Sequence, residues 1–281
     1  MEPDHPPIGV IGMGIIGSGV AKTLRARNRG VFVWSRSPRP IPNFLGSAAE
    51  VADTCKTIQI FVDTGSALKS VLGLLQPSLT PSHYVIAHPT ISPEEMRESA
   101  TLVEECGASF LEAPFTGSRD ASRAGKLFYY AGGRPEVLEH LRPTLELSAK
   151  AIEHFGPVGS ASVVKIVTNM LNAAIVNSLS EALVALTSGG LEPAVLEKAL
   201  AHHAARSPVV DMKLPSMLAG DFEPHFSVSN MLKDQNLALA LVGSAQAAGL
   251  SVTQAVKERL REAEGRGWGN EDFSALYKLF R

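Results

Sequence analysis

Cysteine is nearly absent: Cys55 and Cys106 are the only two in 281 residues. They stand apart, in neither Cys-x-x-Cys nor zinc-ligand spacing, which excludes a disulfide scaffold and a structural metal site and fits a reducing compartment. No His/Cys/Asp cluster has metal-like spacing either. Aromatic residues are scarce at 6%, and neither sign of charge dominates, since 26 Lys and Arg against 28 Asp and Glu leave a formal net charge of −2. That balance gives no basic surface for nucleic acid and no acidic tail. Uninterrupted apolar runs are also missing; the longest is broken by Lys165, Thr168 and Asn169, so no membrane span is expected. The start, Met1-Glu2-Pro3-Asp4-His5, has no basic segment leading into an apolar core. No secretory signal is expected, and the cytoplasm is the expected location. One more absence matters most: no Asp or Glu occurs anywhere from His5 to Ala49.

That acid-free stretch holds the most informative motif. A β-branched apolar run at 8–11 breaks into Gly12-Met13-Gly14-Ile15-Ile16-Gly17, the spacing of a dinucleotide-binding turn. The first glycine permits a tight turn out of a strand, the second lets backbone approach a pyrophosphate, and the third allows close helix–strand packing. A helix carrying Val20, Ala21 and Leu24 on one face follows, and Gly30 ends it before a second strand at 31–34. The positive end of that helix points at the phosphates. An enzyme using NAD places an Asp or Glu about 20 residues past the glycines, on the ribose 2′-hydroxyl. Here the second strand ends instead in Ser35-Arg36-Ser37. A guanidinium beside two hydroxyls suits a 2′-phosphate, so NADP(H) is favoured over NAD.

At 281 residues the chain has room for two domains with cores of their own. Strands are expected at 8–11, 31–34, 58–62, 84–87, 109–112, 127–131 and 151–155, alternating with helices. Ser92-Pro93-Glu94-Glu95 reads as a capping box with proline at the first helical position. Alternation of this kind implies a parallel sheet covered on both faces. After Gly159 strand signals stop, and helices are expected at 160–188, 192–202, 209–218, 229–248, 253–265 and 271–280. The fold class is therefore an α/β Rossmann-type dinucleotide-binding domain, 1–159, followed by an all-α domain, 160–281.

The helix expected from 160 to 188 is apolar nearly all round, as a helix buried in the middle of a structure would be. Lys165, Asn169 and Asn172 fall on one stripe of it, at i, i+4 and i+7. A lysine there is costly unless paired or lining a wet cleft, and desolvation would lower its pKa toward a range where it exchanges protons. The alternative is a lysine that snorkels to the surface beside asparagines that merely satisfy core hydrogen bonds.

Together these motifs resemble the β-hydroxyacid dehydrogenase family, which contains 3-hydroxyisobutyrate dehydrogenase and the glyoxylate/succinic semialdehyde reductases. The resemblance covers nearly the whole chain and rests on four motifs. Besides the glycine turn, 112–118 reads Glu-Ala-Pro-Phe-Thr-Gly-Ser, similar to the family's substrate loop Asp-Ala-Pro-Val-Ser-Gly-Gly. Gly156-Pro157-Val158-Gly159 precedes Lys165, with Asn169 four residues on, like the family's catalytic helix. Lys233-Asp234 matches its Lys-Asp pair. The departures are Thr116 for serine, Ser118 for glycine followed by Arg119, Thr168 for the first of two asparagines, and Ala87-His88-Pro89-Thr90 for Asp-x-Ser-Thr.

The resemblance implies an NADP-dependent oxidoreductase acting on a small carboxylate-bearing aldehyde or hydroxy acid. Lys165 would be the acid/base group, with Asn169 beside it. Thr116, Gly117, Ser118, Arg119, Asn172 and Lys233 would contact substrate. The glycine turn (Gly12, Met13, Gly14, Ile15, Ile16, Gly17), Ser35, Arg36, Ser37, Val62, Asp63, Thr90 and Lys233 would contact the cofactor. Arg119 could pair with a second substrate carboxylate, or be a solvated loop charge like Arg123 and Lys126. The resemblance also implies a homodimer or homotetramer. An imine reductase generally has another residue at the lysine position, a non-catalytic module of this fold should have lost the lysine, and a 6-phosphogluconate dehydrogenase proper would need a larger helical domain.

Overall fold

The computed structural model describes residues 5–280, so the reading of Met1–Asp4 lies outside the described residues. Two compact units divide between Lys165 and Ile166. The first runs β1 (Ile8–Ile11), α1 (Ile15–Ala26), β2 (Val31–Trp34), α2 (Ala48–Thr54), β3 (Thr57–Ile60), α3 (Gly65–Leu75), β4 (Tyr84–Ala87), α4 (Pro93–Glu104) and β5 (Ser109–Glu112). It continues with β6 (Phe115–Thr116), α5 (Arg119–Ala124), β7 (Leu127–Ala131), α6 (Pro135–Glu146) and β8 (Ala149–His154). α7 (Ser160–Ser188) starts in the first unit and carries the chain into the second.

β1 to β5 form a wholly parallel sheet in the order β2-β1-β3-β4-β5. β1, flanked by β2 and β3, shows why both faces are covered. Ile8 and Val10 enter one core with Val20 and Leu24 of α1 and Leu141 of α6, while Ile11 enters the other with α2, α3 and α4 through Val51, Leu72 and Met96. Successive side chains of a strand point to opposite faces, so an apolar residue at nearly every position demands two apolar layers. Gly9 shares Ile11's face, where a Cβ would lie 2.4 Å from Val51; α2 can pack this close only because the side chain is missing.

The expected single sheet needs correcting. β7 and β8 belong to a second, three-stranded sheet in which β6 pairs antiparallel with β7, and β7 pairs parallel with β8. Glu112 exchanges two backbone hydrogen bonds with Gly132, joining β5 to the end of β7 at one point only.

The second unit contains the rest of α7, then α8 (Val195–Leu200), α9 (Pro208–Ala219), α10 (Val228–Leu241), α11 (Gly243–Ala247), α12 (Ser251–Ala263), a π-turn at Glu264–Trp268 and a 3-10 segment at Phe273–Phe280. The helix expected at 229–248 breaks at Gly243, whose φ of +69° ends α10. By length and composition α7 could cross a bilayer. Instead its Ala173, Val176, Leu179 and Leu183 are buried in the core of this unit, against Leu214, Met231 and Leu260. The core also encloses an ion pair. Lys213 Nζ lies 2.7 Å from both oxygens of Asp272, and each side chain is 4% exposed. Asp272 also accepts from the backbone N–H groups of His225, Phe226 and Ser274 and from the Ser274 hydroxyl. Burial works to raise the Asp272 carboxyl, but Lys213 and these donors hold it below the ordinary aspartate value.

Candidate active site

The glycine turn follows directly from the sheet register. Gly12 N–H donates to the Trp34 carbonyl at the end of β2, and Phe61 N–H, just past β3, donates to Ile11. Gly12 has φ +93°, and a Cβ there would meet the Phe61 carbonyl oxygen at 1.9 Å; on Gly17 it would meet the Gly12 carbonyl at 2.0 Å. Both glycines are demanded by the chain itself. Gly14 differs: a Cβ on it would meet no protein atom within 4 Å. It is the N-cap of α1, has no side-chain cap, and the first turn contains no acid. A bare helix N-terminus in open space is what a pyrophosphate needs, so these residues fit a dinucleotide. Ile15 is exposed, whereas Met13 is buried and its carbonyl accepts from the Ser18 hydroxyl.

Ser35, Arg36 and Ser37 leave β2 beside this turn, with Arg36 and Ser37 exposed and the Ser35 hydroxyl donating to the Ser37 carbonyl. Val62 is half-buried and Asp63 exposed in the segment joining β3 to α3, and Thr90 is half-buried after β4.

Lys165 sits in the second turn of α7, and the start of that helix is pinned by Glu112. This carboxylate, 0% exposed at the end of β5, accepts from the N–H groups of Gly159 (2.6 Å), Ala161 (3.0 Å) and Ser162 (3.1 Å) and from the Ser162 hydroxyl (2.5 Å). An anion placed on free N–H groups at a helix start is a strong cap. Burial nevertheless raises the Glu112 pKa, against the pull of those four donors. Room for the side chain comes from Gly132, where a Cβ would lie 2.2 Å from Glu112 Oε1. Lys165 itself is 7% exposed, with Nζ 5.8 Å from the centre of the Tyr130 ring. It does not snorkel to the surface.

The 112–118 segment turns sharply after β6. Gly117 has φ +143°, Ser118 caps α5 by accepting from Ala121 N–H, and Arg119 is the first residue of that helix. α5 is locked onto α1, since the Thr23 hydroxyl donates to the Ser122 carbonyl at 2.8 Å and Gly19 leaves space for Ser122. Thr116 and Arg119 are half-buried; Arg123 and Lys126 are exposed.

His88 lies beneath this segment, 2% exposed. Its Nδ1 is 2.6 Å from the Ala113 carbonyl, its Nε2 is 3.0 Å from the Gln59 side-chain amide, and its ring stacks on Phe61 at 4.0 Å with 10° between planes. A carbonyl oxygen on both nitrogens would require the imidazolium, yet burial lowers the His88 pKa to about 3, the Ala113 carbonyl opposing. Turning the Gln59 amide so that its NH2 faces Nε2 gives neutral His88 one donor and one acceptor, and also pairs a nitrogen otherwise left without a partner. Between about pH 6.5 and 3 the unfolded chain binds a proton here that the fold refuses. Stability should therefore drop as pH falls through that window, by up to about 1.4 kcal/mol per pH unit from this group. Urea unfolding at pH 7.5, 6 and 5 should show a steeper loss in the unmodified protein than in His88→Phe; equal slopes would contradict it.

In the second unit Asp234 is 0% exposed and holds two of the expected residues. Its Oδ1 lies 2.9 Å from Lys233 Nζ, and its Oδ2 accepts from Asn169 Nδ2 at 2.5 Å. Asn169 is buried, and Asn172 is half-buried one turn along α7. Among the described residues no His/Cys/Asp/Glu group could hold a metal ion.

A glycine turn on a parallel sheet, with a bare helix start, defines a dinucleotide-binding fold. Residues 7–156 match the NAD binding domain of 6-phosphogluconate dehydrogenase, and residues 159–280 match the NAD-binding domain of NADP-dependent 3-hydroxyisobutyrate dehydrogenase. The chain is 30% identical to glyoxylate/succinic semialdehyde reductase 1 of Arabidopsis thaliana, covering 98% of each chain. It is 28% identical to the chloroplastic reductase 2 of the same plant, over 98% of this chain and 79% of the relative. A structure of Mycobacterium tuberculosis 3-hydroxyisobutyrate dehydrogenase with L-serine superimposes with a TM-score of 0.86 at 24% identity, covering 98% of this chain and 99% of that one. The chain belongs to the NAD(P)-dependent β-hydroxyacid dehydrogenase family.

Two residues of the site escape a reading of the sequence. Glu112 reads as one more residue of a substrate loop, yet its donors lie 47 to 50 positions away. His88 reads only as a departure from a motif. Its one local signal is a histidine directly after a β-branched strand and before proline.

Proposed function

We propose that this protein uses NADPH to reduce a small aldehyde or keto acid carrying a carboxylate, or runs the reverse oxidation of the β-hydroxyacid. The observation that carries the reading is Lys165: a buried ammonium on a helix whose first turn is fixed by Glu112. When bound, the reduced nicotinamide supplies hydride to the carbonyl carbon. Lys165 gives its Nζ proton to the carbonyl oxygen as charge develops there, and takes it back in the reverse direction. Asn169 orients the reacting groups, and Asp234 holds Asn169 and Lys233 in place. Thr116, Gly117 and Ser118 receive the substrate carboxylate, with Arg119, Asn172 and Lys233 as further contacts. The relatives named for glyoxylate and succinic semialdehyde support this substrate class. Val163, Val167 and Leu171, exposed at i, i+4 and i+8 on α7, support assembly as a homodimer or homotetramer.

The test is a panel of short aldehydes, keto acids and hydroxy acids, with NADPH and NADH. Turnover should concentrate on carboxylate-bearing aldehydes; activity confined to cyclic imines would favour the imine reductase reading. Cofactor choice has its own measurement. Arg36→Ala removes one charged phosphate contact, worth about 1.5–3 kcal/mol, so NADPH should weaken about tenfold or more while NADH is unaffected. Equal affinity of the unmodified protein for the two cofactors would overturn the preference.

A further inference from the structure

The family's motif after β4 is replaced here by Ala87-His88-Pro89-Thr90, and the replacement puts a ring where two working segments meet. On one side His88 stacks on Phe61, whose carbonyl oxygen sets how closely Gly12 can approach and whose Cβ would be 3.2 Å from a Cβ on Gly17. On the other side its Nδ1–H donates to the Ala113 carbonyl, the last hydrogen-bonded backbone group before Pro114, which has no N–H to give. Phe115 and Tyr129 close the remaining walls, with ring centres 6.3 and 5.3 Å from His88. The Tyr129 hydroxyl is held in turn by Ser148 Oγ at 2.9 Å. Among the described residues this is the one aromatic cluster that touches both the dinucleotide turn and the 113–118 segment.

We propose that His88 is a positioning residue: its stacked ring and its single hydrogen bond to Ala113 fix the 113–118 segment relative to the glycine turn. It touches no reacting atom. β6 is only two residues long; at its entry Ala113 N–H donates to Ala87 and the Pro114 carbonyl accepts from Tyr130 N–H, and the Ala113 carbonyl is the group this backbone network leaves to His88. A histidine meets both demands at once, because a flat ring stacks on Phe61 while Nδ1–H satisfies a buried carbonyl that would otherwise be left unpaired. The kinetic consequence rests on the proposed role of 113–118 in holding the substrate carboxylate; the bracing itself does not.

Two variants separate the parts. His88→Phe keeps a stacking ring and loses the donor; His88→Asn keeps a donor close to the Nδ1 position and loses most of the ring. Hydrogen exchange is measured on the peptide spanning 113–118, with the peptide spanning 229–240 of the second unit as control. Exchange at 113–118 should quicken about tenfold or more in His88→Phe and recover in part in His88→Asn, which lacks the stacked ring, with the control unchanged. No change in His88→Phe, or an equal change in the control, would overturn the proposal. On the best aldehyde found, His88→Phe should raise KM about tenfold, NADPH affinity should move less than about twofold, and His88→Asn should restore KM in part. Faster exchange with an unmoved KM would leave the brace standing and remove 113–118 from substrate binding.

Discussion

Lys165→Ala is expected to lower turnover by about 100- to 10,000-fold, the range lost when a positioned general acid is removed. NADPH titration should change less than about twofold, since in the proposed mechanism the side chain acts on the developing alkoxide and not on the dinucleotide. Folding should survive. The helix start that carries Lys165 is held by Glu112 through Gly159, Ala161 and Ser162, none of which involves the lysine. Lys165→Arg tests geometry against charge, because a guanidinium keeps the charge but does not give up a proton near neutral pH. Single-turnover kinetics with saturating NADPH are the measurement. An alanine variant with most of its activity would return Lys165 to a purely structural role.

The largest stability loss is expected in the second unit. Lys213→Ala leaves Asp272 ionised and buried without its counter-charge, and breaking such a pair from one side costs about 3–5 kcal/mol. The backbone donors of His225, Phe226 and Ser274 remain and soften the loss. The pair also predicts a pH dependence. The Asp272 pKa is lower in the fold than in the unfolded chain, so its contribution is present above about pH 4 and is lost as pH falls through the folded value. Lys213→Met with Asp272→Asn, which removes both charges, should recover part of the stability. Chemical unfolding at pH 7 is the check, and a single variant within about 0.5 kcal/mol of the parent would contradict the assignment.

Local pattern alone set much of this molecule. The runs at 8–11, 31–34, 84–87 and 109–112 are strands with the bounds their residues imply, and α7 spans 160–188. These follow from nearest-neighbour chemistry: β-branched residues between turn formers, a long run of helix formers, and Ser92 with Glu95 closing a capping box. The glycine turn was legible as a spacing; Gly12 and Gly17 answer to backbone atoms close by in space, while no protein atom within 4 Å demands Gly14. Lys165 and Asn169 stood out as polar residues on an apolar helix. Tertiary structure alone decided the rest. β7 and β8 carry ordinary strand sequences, and nothing local tells them to leave the parallel sheet. β6, at two residues, is too short to have a period. Glu112 caps a helix that begins 48 residues later, His88 meets Ala113 across 25, and Lys213 meets Asp272 across 59. A buried charge or imidazole declares only that it needs a partner; which partner it receives depends on how the whole chain packs.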